Sequence, residues 1–229
     1  PGEGLVYLGE YYDNSPDRGG ATLVSVTAPD TTTGIDFSLE KAGAISGTVY
    51  ESDGITPIAN AGVEVFDSNW NHVDWYNTDS EGHYTAGGLP TGSYYVYASG
   101  YVSGEGLVYL GEYYDNSPDR GGATLVSVTA PDTTTGIDFS LEKAGAISGI
   151  IYESDGITPI ANTEVEVFDS NWNHVGWGRS DSEGHYTVGG LPTGSYYVYA
   201  SGYVPGEGLV YLGEYYDNSP DRGGATLVS

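Results

Sequence analysis

Three short loops in each repeat of this chain gather oxygen-bearing side chains of the kind a hard cation binds. Asp13, Asn14 and Asp17 share one loop, Glu51 and Asp53 a second, and Asp79 and Glu81 a third. Calcium takes about six to eight such oxygens. None of the loops keeps the D-x-[DN]-x-[DN]-G spacing of a dedicated calcium loop, and Arg18 stands beside Asp17 as a counter-charge. Their plainer role is to cap turns and keep the chain soluble. Calcium is therefore the one cofactor the sequence can offer, and no organic cofactor is expected. His72, His83 and their copies His174 and His185 fall at strand edges, and with no cysteine present a zinc site lacks ligands. Hydrolysis would need opposed carboxylates in a cleft, or a nucleophile with its base. The acidic residues lie in turns and on wet strand faces, and neither G-x-S-x-G nor H-E-x-x-H occurs, so no catalytic residue is assigned.

Aromatic side chains are the other candidates, with 22 Tyr and 4 Trp. Tyr94, Tyr95 and Tyr97 cannot all point inward from one strand, because successive side chains alternate between faces. At least one face therefore shows phenol rings to water or to a partner. Tyr11, Tyr12, Trp70, Trp75, Tyr95 and Tyr97 are the residues such a surface would use, either in an interface or to stack on sugars. No N-x-[ST] glycan acceptor occurs, since Pro16 follows Asn14-Ser15, whereas 31–33 is a threonine run open to O-linked sugar.

The elements that would position these residues are strands. Apolar residues never cluster with a helical period, and the cleanest alternation sets Ile35, Phe37 and Leu39 against Asp36, Ser38 and Glu40, a half-buried strand. Further strands are expected at 45–51, 63–67, 73–78, 83–86, 93–99, 5–12 and 21–27, about eight per repeat. Between them lie turns at 52–54, 80–82, 89–92 and 13–17, rich in Gly, Pro, Asn and Asp. Short strands at regular spacing predict an all-β sandwich.

Residues 1–102 align without a gap on 103–204 and differ at ten positions, and residues 205–229 repeat 1–25 without a change. Pro1 recurs as Pro205 but not at Ser103, which leaves a higher period of 204 residues open. A repeat of 102 residues is long enough to fold by itself, unlike a solenoid unit. The expected organisation is a C-terminal part of a preceding module, or donor segment, at 1–42, a complete sandwich at 43–144, and a second at 145–229 that lacks its last strand. With no Met and an end inside a module, the sequence reads as a window on a longer polymer or as a processed subunit.

A formal net charge of −26 disfavours nucleic acid and anionic lipid as partners. No apolar run is long enough to insert in a membrane. Ile45-Ser46-Gly47-Thr48-Val49, Pro57-Ile58 leading into Gly62-Val63-Glu64-Val65, Thr78-Asp79 with Gly82 and Tyr84, and 88–94 resemble carboxypeptidase regulatory-like domains. These are transthyretin-like, Ig-like sandwiches related to the Cna B-type repeats of secreted bacterial or archaeal surface proteins. The resemblance covers about 43–102 and 145–204 and implies a noncatalytic, extracellular or cell-surface module. Some Cna B-type domains carry a Lys–Asn isopeptide bond, but Lys41 and Lys143 fall at the module junction rather than in the first strand, so that crosslink is not expected. The function expected is a structural module of an extracellular stalk, fibril or filament whose partners are other copies of itself, joined head to tail by strand complementation. A carbohydrate-binding, adhesive array that uses the exposed Tyr and Trp is the alternative.

Overall fold

A computed structural model describes residues 6–102, 106–204, 208–209 and 211–229. It forms two compact units, one of residues up to Ala98 with Glu112–Ser140, the other of Ser99–Gly111 with Leu141–Ser229. Among the described residues all regular structure is β, and no helix is long and apolar enough to cross a membrane.

The first unit is a sandwich of two sheets. The strands in chain order are β1 (Gly43–Glu51), β2 (Ala61–Asp67), β3 (His72–Asn77), β4 (His83–Leu89), β5 (Gly92–Val102), β6 (Gly106–Leu107), β7 (Glu112–Tyr113), β8 (Val126–Val128), β9 (Thr133–Thr134) and β10 (Phe139–Leu141), of which β5 from Ser99 on, β6 and Leu141 fall in the second unit. One sheet runs β10-β1-β4, with β9 parallel to the start of β1. The other runs β3-β2-β5, and β7 and β8 both pair with β5. Period-2 alternation decides what is buried: Val63 and Val65 point inward from β2, Tyr94, Val96 and Ala98 from β5, Ile45 and Val49 from β1. Phe139 of β10 closes the core.

The second unit repeats the plan with β11 (Gly145–Ile150), β12 (Glu164–Asp169), β13 (His174–Arg179), β14 (His185–Leu191), β15 (Tyr196–Ala200), β16 (Tyr203–Val204), β17 (Gly208–Leu209) and β18 (Glu214–Tyr215). β11 pairs with β14 in the register that β1 keeps with β4, bulge included. Among the described residues, none takes the part of β9 and β10 in this unit.

The segment before β1 departs from expectation. The sequence predicts strands at 5–12 and 21–27 and a half-buried strand at 35–40. Leu5 lies outside the described residues, and the rest form only isolated bridges, Tyr7 to Lys41 and Tyr11 to Ser15. Phe37 and Leu39 are exposed. The same sequence one period later forms β7, β8, β9 and β10, because there a sandwich precedes it and supplies edges to pair with.

The differences between copies, Pro1/Ser103 aside, all lie on or beside β1 to β4 and their counterparts, and they compensate in groups. Gly62 faces Asn77 across β2 and β3, and the Trp75 ring lies where a Cβ of Gly62 would be, at 2.6 Å. In the second copy this pair becomes Glu164 opposite Arg179, bridged at 3.6 Å, with the guanidinium over Trp177 at 5.7 Å. Larger Val188 replaces Ala86, while Gly176 and Gly178 replace Asp74 and Tyr76; a Cβ at Gly176 would stand 2.9 Å from Val188. The volume moves from one strand to its neighbour.

Candidate functional site

Tight turns come first, because they hold the acidic candidates. Asp67 turns the β2–β3 hairpin by accepting the Asn69 and Asn71 amides on one oxygen, at 2.8 and 2.9 Å, and the Asn71 side chain on the other at 2.7 Å. Asp79 accepts the Glu81 and His83 amides, Asp53 those of Ile55 and Thr56, and Asp17 those of Gly19 and Gly20. Asp13 accepts the Thr22 hydroxyl at 3.1 Å. The Asn71 side chain, then its amide, holds the Asp67 carboxyl below the usual carboxylate range, and the His83 amide does the same for Asp79. These oxygens cap turns. Asn14 takes φ 60° beside Asp13 in its turn; Glu51 ends β1, and Glu81 lies near His83, at 3.7 Å. Among the described residues no group of three or more His, Asp or Glu could hold a metal ion. The Arg18 guanidinium, expected to offset Asp17, donates instead to the Tyr11 phenol oxygen at 3.1 Å.

That arginine–tyrosine pair reveals what the aromatic face does. Trp70, at φ 66° in the left-handed region, turns its indole flat onto Tyr95, with centroids 3.8 Å apart and planes 3° from parallel. Tyr113 meets the indole edge-on at 5.5 Å and packs on Tyr97 at 4.7 Å. Arg120 donates to the Tyr113 hydroxyl and sits 4.9 Å above the Trp70 ring and 5.7 Å from Phe66. Trp172, Tyr197, Tyr215 and Arg222 repeat the arrangement. The outer phenols of β5 are thus clasped by the chain that follows them. Trp75 differs: it lies exposed on edge strand β3. Tyr11 is exposed with its Arg18, and Tyr12 touches Phe37 edge-on at 6.3 Å, so the leading segment carries the clasp residues without a sandwich beneath them. Arg120 went unnoticed in the sequence; its fixed spacing of seven residues from Tyr113, kept at Arg18 and Arg222, is the signal that could have found it.

The clasp is one part of a longer docking track. In the first unit β9 runs beside Ala44 and Ile45, the Ala44 amide donates to the Asp132 carbonyl at 3.1 Å, and the Ile137 amide donates to the Ser46 carbonyl at 3.1 Å. The Thr48 amide donates to the Asp138 carboxylate at 2.8 Å and the Ser140 amide to Glu112 at 3.2 Å. Tyr84 reaches down to give its hydroxyl to the Ile137 carbonyl at 2.7 Å, and burial, followed by the nearby Asp138 charge, raises its phenol well above the ordinary range. Gly47 makes the approach possible: a Cβ there would lie 1.9 Å from the Ile137 oxygen. Phe139 is 1% exposed and Leu141 0%.

In the second unit the described residues supply no strand along this track. A groove of about 290 Å³ follows Gly145, Ala146, Ile147, Pro192, Tyr196 and Val228, where β9 would run. A second, of about 820 Å³, follows Ile150, Ile151, Tyr152, Thr163 and Glu214, where β10 would run. Leu212 is 97% exposed, although its counterpart Leu110 is half-buried. Thr163 Oγ1 is buried in this stretch without a hydrogen-bond partner.

The carboxypeptidase regulatory-like domain family matches residues 44–142, which take in β1 to β10. The serine-aspartate repeat-containing protein F of Staphylococcus epidermidis is 30% identical over 170 residues, 68% of this chain. The chain spans about a tenth of that relative's length. The Bacillus anthracis TIE protein aligns at 18% identity over 72% of this chain and 33% of its own, with a TM-score of 0.34. A streptococcal ancillary pilin aligns at 14% over 84% and 61%, with a TM-score of 0.35. The matched family consists of noncatalytic modules, consistent with a surface whose polar groups are spent on turns and strand docking.

Proposed function

We propose that the chain is a noncatalytic structural repeat of an extracellular or cell-surface stalk or fibril, with 43–144 as one complete module. Each sandwich is completed by the strand that leads to the next, so that neighbouring copies are joined head to tail by strand complementation. One observation carries this reading. The strand that finishes the first sandwich, β10, ends at Leu141, and β11 begins four residues on, at Gly145. So short a connection leaves little room for a flexible linker. The repeat-containing protein of S. epidermidis with which this chain shares 30% identity lends support to a repetitive, structural role. The acidic surface discourages sideways pairing of exposed edges such as β3.

Electron microscopy of chains carrying several repeats tests this directly. Rods whose length grows in proportion to the number of repeats are expected; compact particles of constant outline would overturn the stalk. Denaturing mass spectrometry of the native assembly then separates discrete subunits from one continuous polymer.

A further inference from the structure

We propose that Trp75 and the residues around it form a binding site for a neutral polysaccharide, one sugar ring of which stacks on the indole. On the outer face of the β3-β2-β5 sheet Glu64 stands opposite Trp75, and Tyr97 stands opposite Tyr113 of β7. The second unit repeats this row as Trp177, Glu166, Tyr199 and Tyr215. The ten differences between the copies spare the row but alter what holds its tryptophan.

In the first unit three residues fix Trp75. Gly62 gives the indole a bed: three of its ring atoms lie 2.6, 2.9 and 3.2 Å from where a Cβ would stand, so a larger residue would lift it. Asn77 accepts a hydrogen bond from the indole Nε1 at 3.3 Å. Tyr76 donates its hydroxyl to the Gly87 carbonyl at 2.8 Å and so ties the edge strand to β4. The counterparts of these three are Glu164, Arg179 and Gly178. Glu164 and Arg179 pair with each other at 3.6 Å, and the guanidinium lies over the Trp177 ring at 5.7 Å. Trp177 stands further out, 58% exposed against 40% for Trp75. One copy thus holds its indole ready on the sheet, while in the other a cation of the chain itself takes a place on the ring.

The chemistry around Trp75 is that of a sugar site. An indole presents an apolar face to the C–H side of a pyranose, and the hydroxyls at the sugar's rim need polar groups close by. The Glu64 carboxylate, its side chain 23% exposed and 3.9 Å from His72, and the exposed Asn77 amide supply them. Charge sets the class. A chain of net charge −26, with Glu64 opposite the indole and Asp74 bonded to the Trp75 amide at 2.8 Å, repels uronates, sialic acids and other copies of itself.

Native affinity electrophoresis of the 229-residue chain tests this, in gels carrying soluble xyloglucan, galactomannan, mixed-linkage β-glucan or pullulan, with alginate as the anionic control. At least one neutral polymer should retard the chain, and alginate should not. Trp75→Ala should weaken the retardation roughly tenfold or more, whereas Trp177→Ala should leave it unchanged. A second variant covers the case in which Trp75→Ala disturbs the strand: Gly62→Glu with Asn77→Arg installs a pair that the second unit already carries, and it should abolish binding. No retardation by any neutral polymer, equal retardation of either variant, or retardation by alginate would overturn the proposal. So would self-association in sedimentation velocity that Trp75→Ala abolishes, since a second copy would then be the occupant. Rods seen by microscopy stand or fall separately from all of these outcomes.

Discussion

The two sandwiches share almost every residue, yet the described residues supply β9 and β10 to the first and no counterpart to the second. Ile45 is fully buried in β1, while Ile147 in β11 is only half-covered; β1 runs nine residues and β11 six. The local sequence offers little to account for this, since 43–47 and 145–149 are identical and the changes that follow, Thr48 to Ile150 and Val49 to Ile151, exchange one β-branched residue for another. What differs is the presence of β9 and β10. Strand length and core burial at this edge are thus set by a distant segment rather than by propensity, as expected of a pleated surface that is stable only when covered.

The largest effect should come from breaking the closed side. Phe139→Ala removes a ring that is almost wholly enclosed and is expected to cost the first unit about 3–5 kcal/mol. Phe37→Ala should stay within about 0.5 kcal/mol. Hydrogen exchange read by mass spectrometry on β1 and β11 peptides, which differ in mass at Thr48/Ile150, reports each unit separately. Equal effects of the two substitutions would contradict the comparison.

Next comes Gly47→Ala, whose Cβ would meet the Ile137 carbonyl. Expulsion or distortion of β10 is expected, at about 1–3 kcal/mol, with faster exchange in β1. Gly149→Ala meets only the Tyr186 ring, at 2.9 Å, and should cost clearly less. Smaller again is Thr163→Ala, which gives the second unit the residue that the first holds as Ala61. Removing a buried hydroxyl without a partner should stabilise by about 1 kcal/mol in denaturant titration. Loss of stability would show that the hydroxyl is satisfied in solution.

The gentlest probe is pH. Asp67, Asp79, Asp155, Asp169 and Asp181 are held below the usual carboxylate range by their turn hydrogen bonds. Their contribution is complete above an unfolded value of about 3.9 and is lost as pH falls through the lower folded values, so both units should weaken together below about pH 4. Alkali should separate them. Burial, then the neighbouring Asp74 charge, pushes the Tyr76 phenol up to about 12, and Gly178 takes its place in the second copy. The folded first unit keeps a proton that the unfolded chain gives up above about 10, so its stability should fall from there upward, more than that of the second. Matching alkaline profiles would discount Tyr76.

Much of this architecture is legible in the sequence. The strands of β1 to β5 announce themselves by alternation, as at Val63-Glu64-Val65, and their turns by Asp and Gly at positions that need caps or left-handed backbone. The segment 21–40 is not, because its fate depends on whether a sandwich stands before it, a non-local fact that periodicity does not encode. The aromatic run of β5 reads as two-faced, and in the structure Tyr94 is buried while Tyr95 and Tyr97 stay partly uncovered on the other side. That Trp70 and Arg120 would cover the outer rings follows from a hairpin turn at φ 66° and a loop far along the chain from it, neither of which single-strand patterning reveals.

Of the residues that hold β9 and the start of β10, Ala44, Ile45, Ser46, Gly47 and Tyr84 recur unchanged, and Thr48, which uses its backbone amide, is the one that differs; most other differences, among them Gly62, Asp74, Tyr76 and Asn77, lie on β2 to β4. Because that grip rests on residues the copies share, a period inserted or removed by recombination would keep the same contacts between β1 and β9.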